Sequence, residues 1–291
     1  MLIDTFADDW LAQVDLWAGE TEQAPDTAAA KSELFLLLDG AFVPGLHLSV
    51  ADALGARKAP VLLFESLPGC NKSTRDVSPM LLPYRATNTP LRKALLRCNG
   101  WPMVHAITTP ESQDILGQRL AAWCVLEADG QYFNFRFPDT RRLPGLLKAL
   151  TAQQLAHFVG PASSWRSMGR NGQWQVSPAL AQLPLPRATE PLDTRLTAAQ
   201  FSAMLADGEA DGILVALQDR GHTWSRPHSE VYADIAQALH IADAAGALAL
   251  DDVTRIDWCE ACMADPALLA QHPEAAPSQQ KLHRWLEDNR A

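Results

Sequence analysis

Long hydrophobic runs are missing from this sequence, and cysteine is scarce. No uninterrupted apolar stretch approaches the roughly 18 residues that a membrane-spanning helix requires. Residues 1–17 carry acidic side chains in place of a basic n-region and contain no small-residue cleavage site, so we expect no signal peptide. The five cysteines are an odd number, which favours a reducing compartment over a disulfide framework. We therefore expect a cytoplasmic protein without a membrane span.

The usual signatures of catalysis and cofactor binding are also missing. The sequence contains no Gly-x-Ser-x-Gly, Gly-x-Gly-x-x-Gly or His-Glu-x-x-His motif. The segment 69–73 follows an apolar run but lacks the second glycine of a phosphate-binding loop. Cys259 and Cys262 have metal-ligand spacing, but they share one face of a predicted helix, and we interpret them as small buried residues. The sequence predicts no catalytic residue, no cofactor and no metal.

Basic residues are few in the last third of the chain. Residues 1–192 hold 18 acidic and 17 basic side chains, whereas residues 193–291 hold 16 and 7, so most of the net charge of -10 lies in the second part. Because an acidic field repels phosphate backbones, we expect no nucleic-acid partner. The acidic part is either a well-solvated helical surface or one that attracts a basic protein segment. Arg92, Lys93 and Arg97 are interpreted as a solvated basic helix face.

Short apolar runs bounded by turn residues predict strands between residues 30 and 180. Two such runs are Glu33–Leu38 and Val61–Glu65. The clearest signal is a hairpin in which Asp129-Gly130 joins residues 123–128 to residues 131–137. The second strand of this hairpin alternates between phenylalanine and polar side chains, which is typical of a half-buried strand.

Helical periodicity separates these strands and then dominates the chain. The predicted helices are 8–18, 90–98, 109–122 and 144–158 before the prolines of residues 177–192, and 196–206, 210–220, 228–246, 250–264 and 277–289 after them. Thr197 and Gln200 form a predicted capping box. We predict an α+β / α/β protein: an N-terminal mixed α/β lobe with a small sheet (1–180), a proline-rich linker (181–192) and an all-helical acidic lobe (193–291).

The segment 132–174 carries a recognisable pattern. It has a Phe-Arg-Phe strand, an Asp-x-Arg turn, a leucine-rich helix, and Gly-Pro followed by tryptophan. The residues are Phe135, Arg136, Phe137, Asp139, Arg141, Leu146, Leu147, Leu150, Gly160, Pro161 and Trp165, with Asp39, Gly40, Ala41 and Leu63, Phe64, Glu65 upstream. Over residues 30–180 the chain resembles the type VI secretion effector-chaperone (adaptor) family, the bacterial domain of unknown function 4123. It departs from the family's frequent Asp-Pro-Arg and Gly-Pro-x-Leu at residues 138–141 and 78–81.

The resemblance implies a non-enzymatic adaptor. Such a protein binds a specific toxin effector in the cytoplasm and helps to load it onto the secretion spike, a trimeric tip protein with or without a small cap. The expected partners are the cognate effector and the spike tip protein or its cap. Two other functions stay open: a hydrolase or transferase with a site in a cleft between the lobes, near Asp219, His222 and His228, and an immunity-type protein that neutralises a toxin.

The charged signature residues have two possible uses. Arg136 lies on the strand face opposite its neighbouring phenylalanines, where its guanidinium can pair with Asp39 or Asp139. With Arg141, these residues form either an internal ion-pair network or a direct contact with cargo.

The sequence contains nine tryptophans, a residue enriched at interface anchors. Four are candidates for partner binding, with burial in the core as the alternative: Trp10, Trp17, Trp101 and Trp224. Trp165 is interpreted as a buried aromatic plug that follows a helix stop at Gly160 and Pro161.

Overall fold

The computed structural model describes residues 2–23, 31–55, 59–177, 193–244 and 252–270. The chain divides into two units, Met1–Met204 and Leu205–Ala291. The predicted linker 181–192 and the predicted helix 277–289 lie outside the described residues.

The helices and strands follow one another along the chain with the following bounds. The helices are α1 (Trp10–Gln23), α2 (Leu46–Leu54), α3 (Lys72–Asp76), α4 (Thr89–Leu95), α5 (Gln113–Ala122), α6 (Leu143–Ala149), α7 (Ala152–Val159), α8 (Ala198–Asp207), α9 (Glu209–Asp219), α10 (His228–Ala244) and α11 (Asp252–Ala264). The strands are β1 (Glu33–Leu38), β2 (Val61–Leu62), β3 (Met80–Pro83), β4 (Val104–Thr109), β5 (Val125–Ala128), β6 (Gln131–Asn134), β7 (Ser164–Met168), β8 (Trp174–Val176) and β9 (Arg195–Leu196).

A six-stranded antiparallel sheet of order β2-β3-β1-β4-β7-β8 forms the middle of the first unit. Alternate residues of β1 enter two different cores, Leu36 and Leu38 on one face and Phe35 and Leu37 on the other. A strand buried on both faces needs apolar side chains throughout, which explains the continuous run at β1. The predicted α+β architecture is confirmed.

Helices cover both faces of this sheet. One core contains the apolar faces of α1, α2 and α4, and the other contains those of α5, α6 and α7. The buried helix residues are Trp10, Leu11, Val14, Ala18, Leu46, Val50, Leu91 and Leu95 in the first core, and Leu116, Leu120, Leu143, Leu146, Phe158 and Val159 in the second. The sheet is thus the central layer of three.

A second, three-stranded sheet of order β6-β5-β9 packs into the second core. The predicted hairpin forms: β5 and β6 are antiparallel, and both turn residues, Asp129 (φ 51°) and Gly130 (φ 73°), have the positive φ that a tight hairpin turn requires. Its second strand was predicted too long, because β6 ends at Asn134 and the Phe-Arg-Phe segment 135–137 follows the strand. β9 pairs in parallel with β5.

Two capping boxes tie the residues around β9 to the first unit. Thr151 and Gln154 cap α7, and the predicted box of Thr197 and Gln200 caps α8. The Gln200 amide donates to Gln154 Oε1 (2.7 Å), and the Gln154 amide donates to the carbonyl of Arg195 (2.7 Å). The sequence places residues 193–204 in the second lobe, whereas the structure assigns them to the first unit.

Two predicted helices have different bounds in the structure. The predicted helix 144–158 is two helices, because Thr151 adopts an extended conformation (φ -64°, ψ 161°) and caps a new one. The helix predicted from Thr109, with Pro110 at its first position, begins at Gln113, because the side chain of Ser112 caps it by accepting a hydrogen bond from the amide of Ile115. Likewise, the predicted strand Val61–Glu65 is paired only over Val61–Leu62.

The described part of the second unit consists of α9, α10, α11 and a short 3-10 helix, Pro266–Ala270, with the end of α8. Its core includes Ile235, Trp258, Cys259 and Cys262. The indole of Trp258 donates to the carbonyl of Ala238 (2.8 Å), so the polar atom of this buried ring is satisfied. Across the described ranges, no helix combines the length and hydropathy that crossing a membrane requires.

The N-terminal segment lies against the turn between β7 and β8. The amide of Asp4 donates to the carbonyl of Arg170 (2.9 Å), and that of Ala7 donates to the carbonyl of Gly172 (3.0 Å). Gly172 has φ 68°, and a Cβ at this position would lie 2.1 Å from the carbonyl oxygen of Thr5. Only glycine allows both this conformation and this approach of the two backbones.

We expect Gly172→Ala to lower the free energy of unfolding by about 2 kcal/mol or more, because it adds backbone strain to a steric clash. Gly212→Ala is the matched control: Gly212 lies inside α9 with open space around it, and alanine there favours the helix by up to about 1 kcal/mol. Urea denaturation of both variants measures the difference. Equal stabilities would contradict this account of the N-terminal segment.

Candidate functional site

Asp39 follows β1 directly and is fixed by its own turn. Its Oδ1 accepts a hydrogen bond from the amide of Ala41 (3.1 Å), and its own amide donates to the carbonyl of Met103 (3.0 Å). The next residue has to be glycine, since a Cβ on Gly40 would lie 2.3 Å from the carbonyl oxygen of Ser78. As a result the carboxylate of Asp39 is held at the end of the central sheet, with no exposed surface.

Arg136 pairs with this buried carboxylate. Its Nε and Nη2 donate to Oδ2 of Asp39 at 3.2 and 2.8 Å. Burial raises the pKa of the Asp39 carboxyl, while the charge of Arg136 and the amide of Ala41 oppose the rise. The Arg136 side chain is itself 42% exposed, so the pair connects the interior to the surface.

Asp139 pairs with Arg141, and the sequence left open which carboxylate would pair with Arg136. Nε and Nη2 of Arg141 donate to the two carboxylate oxygens of Asp139 at 3.0 and 2.7 Å, and the amide of Arg141 donates to Oδ1 (3.1 Å). This is a two-pronged arginine–carboxylate interaction in which both side chains are nearly buried. It fixes the turn that follows Arg136.

Both guanidinium groups lie near one aromatic ring. The Phe42 centroid is 4.9 Å from the guanidinium carbon of Arg136 and 5.9 Å from that of Arg141. Phe42 also stacks on Trp101, with 5.9 Å between centroids and 23° between planes. Both rings are half-buried. We call this set, Asp39, Phe42, Trp101, Arg136, Asp139 and Arg141, the arginine–aromatic cluster.

A buried histidine supports the segment that carries the cluster. Nε2 of His105 is 2.9 Å from the carbonyl oxygen of Pro138, and the indole of Trp165 donates to Nδ1 of His105 (3.2 Å). Because Nδ1 accepts, the proton of the neutral ring lies on Nε2 and is donated to Pro138. Burial lowers the pKa of His105 to about 4. Trp165 is buried and stacks on Phe158 (5.0 Å), in the position expected of an aromatic plug.

The tryptophan candidates lie in different environments. Trp10 is 4% exposed in the first core, where its apolar surface is already covered, so as a partner-binding candidate it is corrected to a core residue. Trp17 is half-buried against Trp174 (5.2 Å between centroids). Trp224 is half-buried in the second unit and stacks on a histidine ring. Only Trp101 belongs to the arginine–aromatic cluster.

The residues proposed for acid–base chemistry lie in the second unit. His222 Nε2 is 2.5 Å from Glu260 Oε1 and its ring stacks on Trp224 (6.3 Å). Asp219 is exposed at the end of α9, and His228 begins α10. No hydrogen bond joins these three residues within the described ranges.

The two cysteines of metal-ligand spacing are buried in the helical core, and burial raises the pKa of both thiols, that of Cys262 to about 12. Among the residues that the structure describes, no group of three histidine, cysteine or carboxylate side chains could hold a metal ion.

Gly160 has φ 58° and ends α7, and Pro161 follows it directly.

The predicted basic helix face is only partly solvated. For Arg92 the prediction of a solvated side chain is wrong. Its guanidinium pairs with Asp15 and donates to the hydroxyl of Tyr84 (3.1 Å), and that hydroxyl donates to Asp15 (2.6 Å). Burial raises the pKa of Tyr84. Lys93 and Arg97 are exposed.

Comparison with known proteins gives one result. Residues 34–157 match a family model, described as a domain of unknown function (DUF4123). The matched range contains the whole arginine–aromatic cluster and ends before Gly160, Pro161 and Trp165. No curated protein and no solved structure matches the chain.

Sequence reasoning missed Phe42 and His105 as parts of this site. Phe42 lies only three positions after Asp39, at the end of the 3-10 turn that Asp39 caps, and that proximity is the available signal. His105 lies inside β4, which the sequence did not predict, and its partners are contributed by segments far along the chain.

We expect the free energy of unfolding to fall as the pH is lowered from 6.5 to about 4, because the unfolded chain protonates His105 and the folded chain does not. The pKa difference corresponds to about 3 kcal/mol at the lower pH. His105→Gln is expected to make this slope shallower, measured by urea denaturation across the pH range. His240→Gln, at an exposed position of α10, is the control. Identical slopes for His105→Gln and the wild type would rule out this assignment.

Removing the cation beside Asp39 leaves a buried carboxylate whose charge is not neutralised, although the amide of Ala41 still donates to it. We expect Arg136→Met to lower the free energy of unfolding by about 2 kcal/mol at pH 7. The loss is smaller at pH 4, because the folded-state pKa of Asp39, already raised, rises further and the group takes up a proton. Arg75→Met, which breaks an exposed pair with Glu65 (3.0 Å), should cost less than about 1 kcal/mol. A loss that does not depend on pH would argue against the role of Asp39.

Proposed function

We propose that this protein is a non-enzymatic adaptor of the type VI secretion system. It binds a specific toxin effector in the cytoplasm and helps to load it onto the spike, through the tip protein or its cap. The resemblance of residues 30–180 to the effector-chaperone family and the family-model match over residues 34–157 support this proposal.

The main support for the proposal is that each carboxylate of the arginine–aromatic cluster is already paired with an arginine. Asp39 and Asp139 are buried and each is bound by an arginine, so neither is placed to accept a proton from a substrate. What faces solvent is part of the Arg136 side chain and part of the half-buried residues Phe42 and Trp101. Arginine and aromatic side chains are enriched at the energetic centres of protein interfaces.

The cluster is also held in place before any partner binds. Arg136 has two hydrogen bonds and an aromatic contact, and the Phe42 ring is packed against both arginines and against Trp101. Side chains that are already ordered lose little conformational entropy on binding. This favours the recognition of another protein.

Co-expression with the toxin encoded next to this gene tests the proposal. We expect the tagged full-length chain to co-elute with the toxin on size exclusion and to capture the spike tip protein or its cap. Trp101→Ala should reduce the recovered toxin about tenfold or more, and Trp224→Ala should leave it unchanged. A monodisperse wild-type chain that captures neither the toxin nor a spike protein would refute the adaptor function.

The same complex separates the adaptor from an immunity protein. An adaptor leaves the toxin active once delivered and gives no protection to a susceptible cell that expresses it, whereas an immunity protein blocks the toxin and protects the cell. Protection by the chain alone would therefore count against the proposal, and so would a hydrolase or transferase turnover that disappears in a folded His228→Ala variant.

A further inference from the structure

Arg97 is an exposed cation whose hydrogen-bond partners are neutral. Its Nη1 donates to the hydroxyl of Ser49 (3.0 Å) and its Nη2 donates to the carbonyl of Pro44 (3.1 Å). Within the described ranges no carboxylate lies within ion-pair distance of this guanidinium. The two hydrogen bonds therefore orient Arg97 without neutralising its charge.

Short chain connections place Arg97 beside the arginine–aromatic cluster. Its acceptor Pro44 comes two residues after Phe42. The amide of Trp101, whose ring stacks on Phe42, donates to the carbonyl of Cys98, the residue after Arg97 (3.0 Å). Arg97 is thus hydrogen-bonded two residues beyond Phe42, the ring that contacts the guanidinium of Arg136 and stacks on Trp101.

Exposed leucines adjoin the cation. Leu96 precedes Arg97, and Leu48 precedes its partner Ser49; each is 57% exposed. Exposed apolar side chains grouped with half-buried aromatic rings are typical of a surface that binds a protein. We call Phe42, Leu48, Leu96, Arg97, Trp101 and Arg136 the Arg–Trp surface.

The charges of the Arg–Trp surface are unequally exposed. The residues Asp39 and Asp139 have relative exposures of 0% and 5%, whereas Arg97 is exposed and the Arg136 side chain is 42% exposed. Nη1 of Arg136 has no acceptor among the described residues, because Asp39 is bound through Nε and Nη2. The exposed charged side chains of the Arg–Trp surface are therefore both cationic, although the chain as a whole has a net charge of -10.

We infer that the Arg–Trp surface binds an acidic, amphipathic segment of a partner protein. Carboxylates of the segment accept hydrogen bonds from Arg97 and from Nη1 of Arg136, and its apolar side chains pack on Leu48, Leu96 and Trp101. The assignment of this segment to the effector or to a spike protein rests on the proposed function. Its acidic, amphipathic chemistry is inferred from the Arg–Trp surface alone.

Fluorescence anisotropy with the full-length chain tests the inference. The probe is a fluorescein-labelled peptide EELWEELEE, compared with the same peptide in which glutamine replaces every glutamate and with one in which lysine replaces it. We expect saturable binding of the acidic probe that weakens about tenfold with the glutamine peptide and weakens further at high salt. Equal affinity for the glutamine peptide, or tighter binding of the lysine peptide, would overturn the inference.

Two variants locate the binding on this surface. Arg97→Glu should weaken binding of the acidic probe about tenfold, and Leu96→Ser about threefold, without loss of the folded signal in circular dichroism. Arg195→Glu is the matched control, since Arg195 is also exposed but lies in β9, at the opposite edge of the small sheet from β6. Wild-type affinity in both Arg97→Glu and Leu96→Ser would exclude the Arg–Trp surface.

Capture of the toxin distinguishes failure of this inference from failure of the proposed function. If Arg97→Glu captures the toxin as well as the wild type does, the adaptor function stands and the Arg–Trp surface is excluded as its site. If the acidic probe binds in an Arg97-dependent way but no toxin or spike protein is captured, the surface stands and the adaptor function fails. Arg97-dependent self-association in sedimentation velocity would identify a second copy of the chain as the occupant and overturn the inference.

Discussion

The ion pair between Asp39 and Arg136 is the constraint on which the rest of the cluster depends. A carboxylate without solvent contact at the end of the central strand is costly unless a cation reaches it. Arg136, which follows the β5–β6 hairpin and is 97 positions away along the chain, provides that cation. The same pairing sets Arg136 against Phe42, while part of the Arg136 side chain stays exposed. The need to neutralise a buried carboxylate therefore fixes the position of a side chain that reaches the surface.

Buried groups that do not reach the surface hold the arginine–aromatic cluster in place. The neutral ring of His105 holds the carbonyl of Pro138, and Trp165 fixes the orientation of that ring. Asp139, the residue after Pro138, accepts a hydrogen bond from the guanidinium of Arg141. Each of these contacts uses a polar atom that would otherwise be buried without a partner. The family-model match over residues 34–157 includes His105, Pro138, Asp139 and Arg141 but ends before Trp165.

Local signals predicted local structure well. The turn residues Asp129-Gly130 identified the hairpin, and the uninterrupted apolar run identified β1. The sequence did not show β3, only four residues long, or β7, which contains an arginine and two serines, because these strands are stabilised by pairing with β1 and β4. The sequence narrowed the ion-pair partner of Arg136 to Asp39 or Asp139. It did not decide between them, because the pairing depends on tertiary packing across the sheet.

The interlocked glutamines Gln154 and Gln200 affect how the polypeptide responds to cleavage. Since β9 and the beginning of α8 are hydrogen-bonded to α7 and to β5, the residues on either side of 178–192 are joined non-covalently as well as through the backbone. We therefore expect the two fragments produced by a protease cut between residues 178 and 192 to stay associated under native conditions, because these hydrogen bonds do not depend on the peptide bonds of that segment.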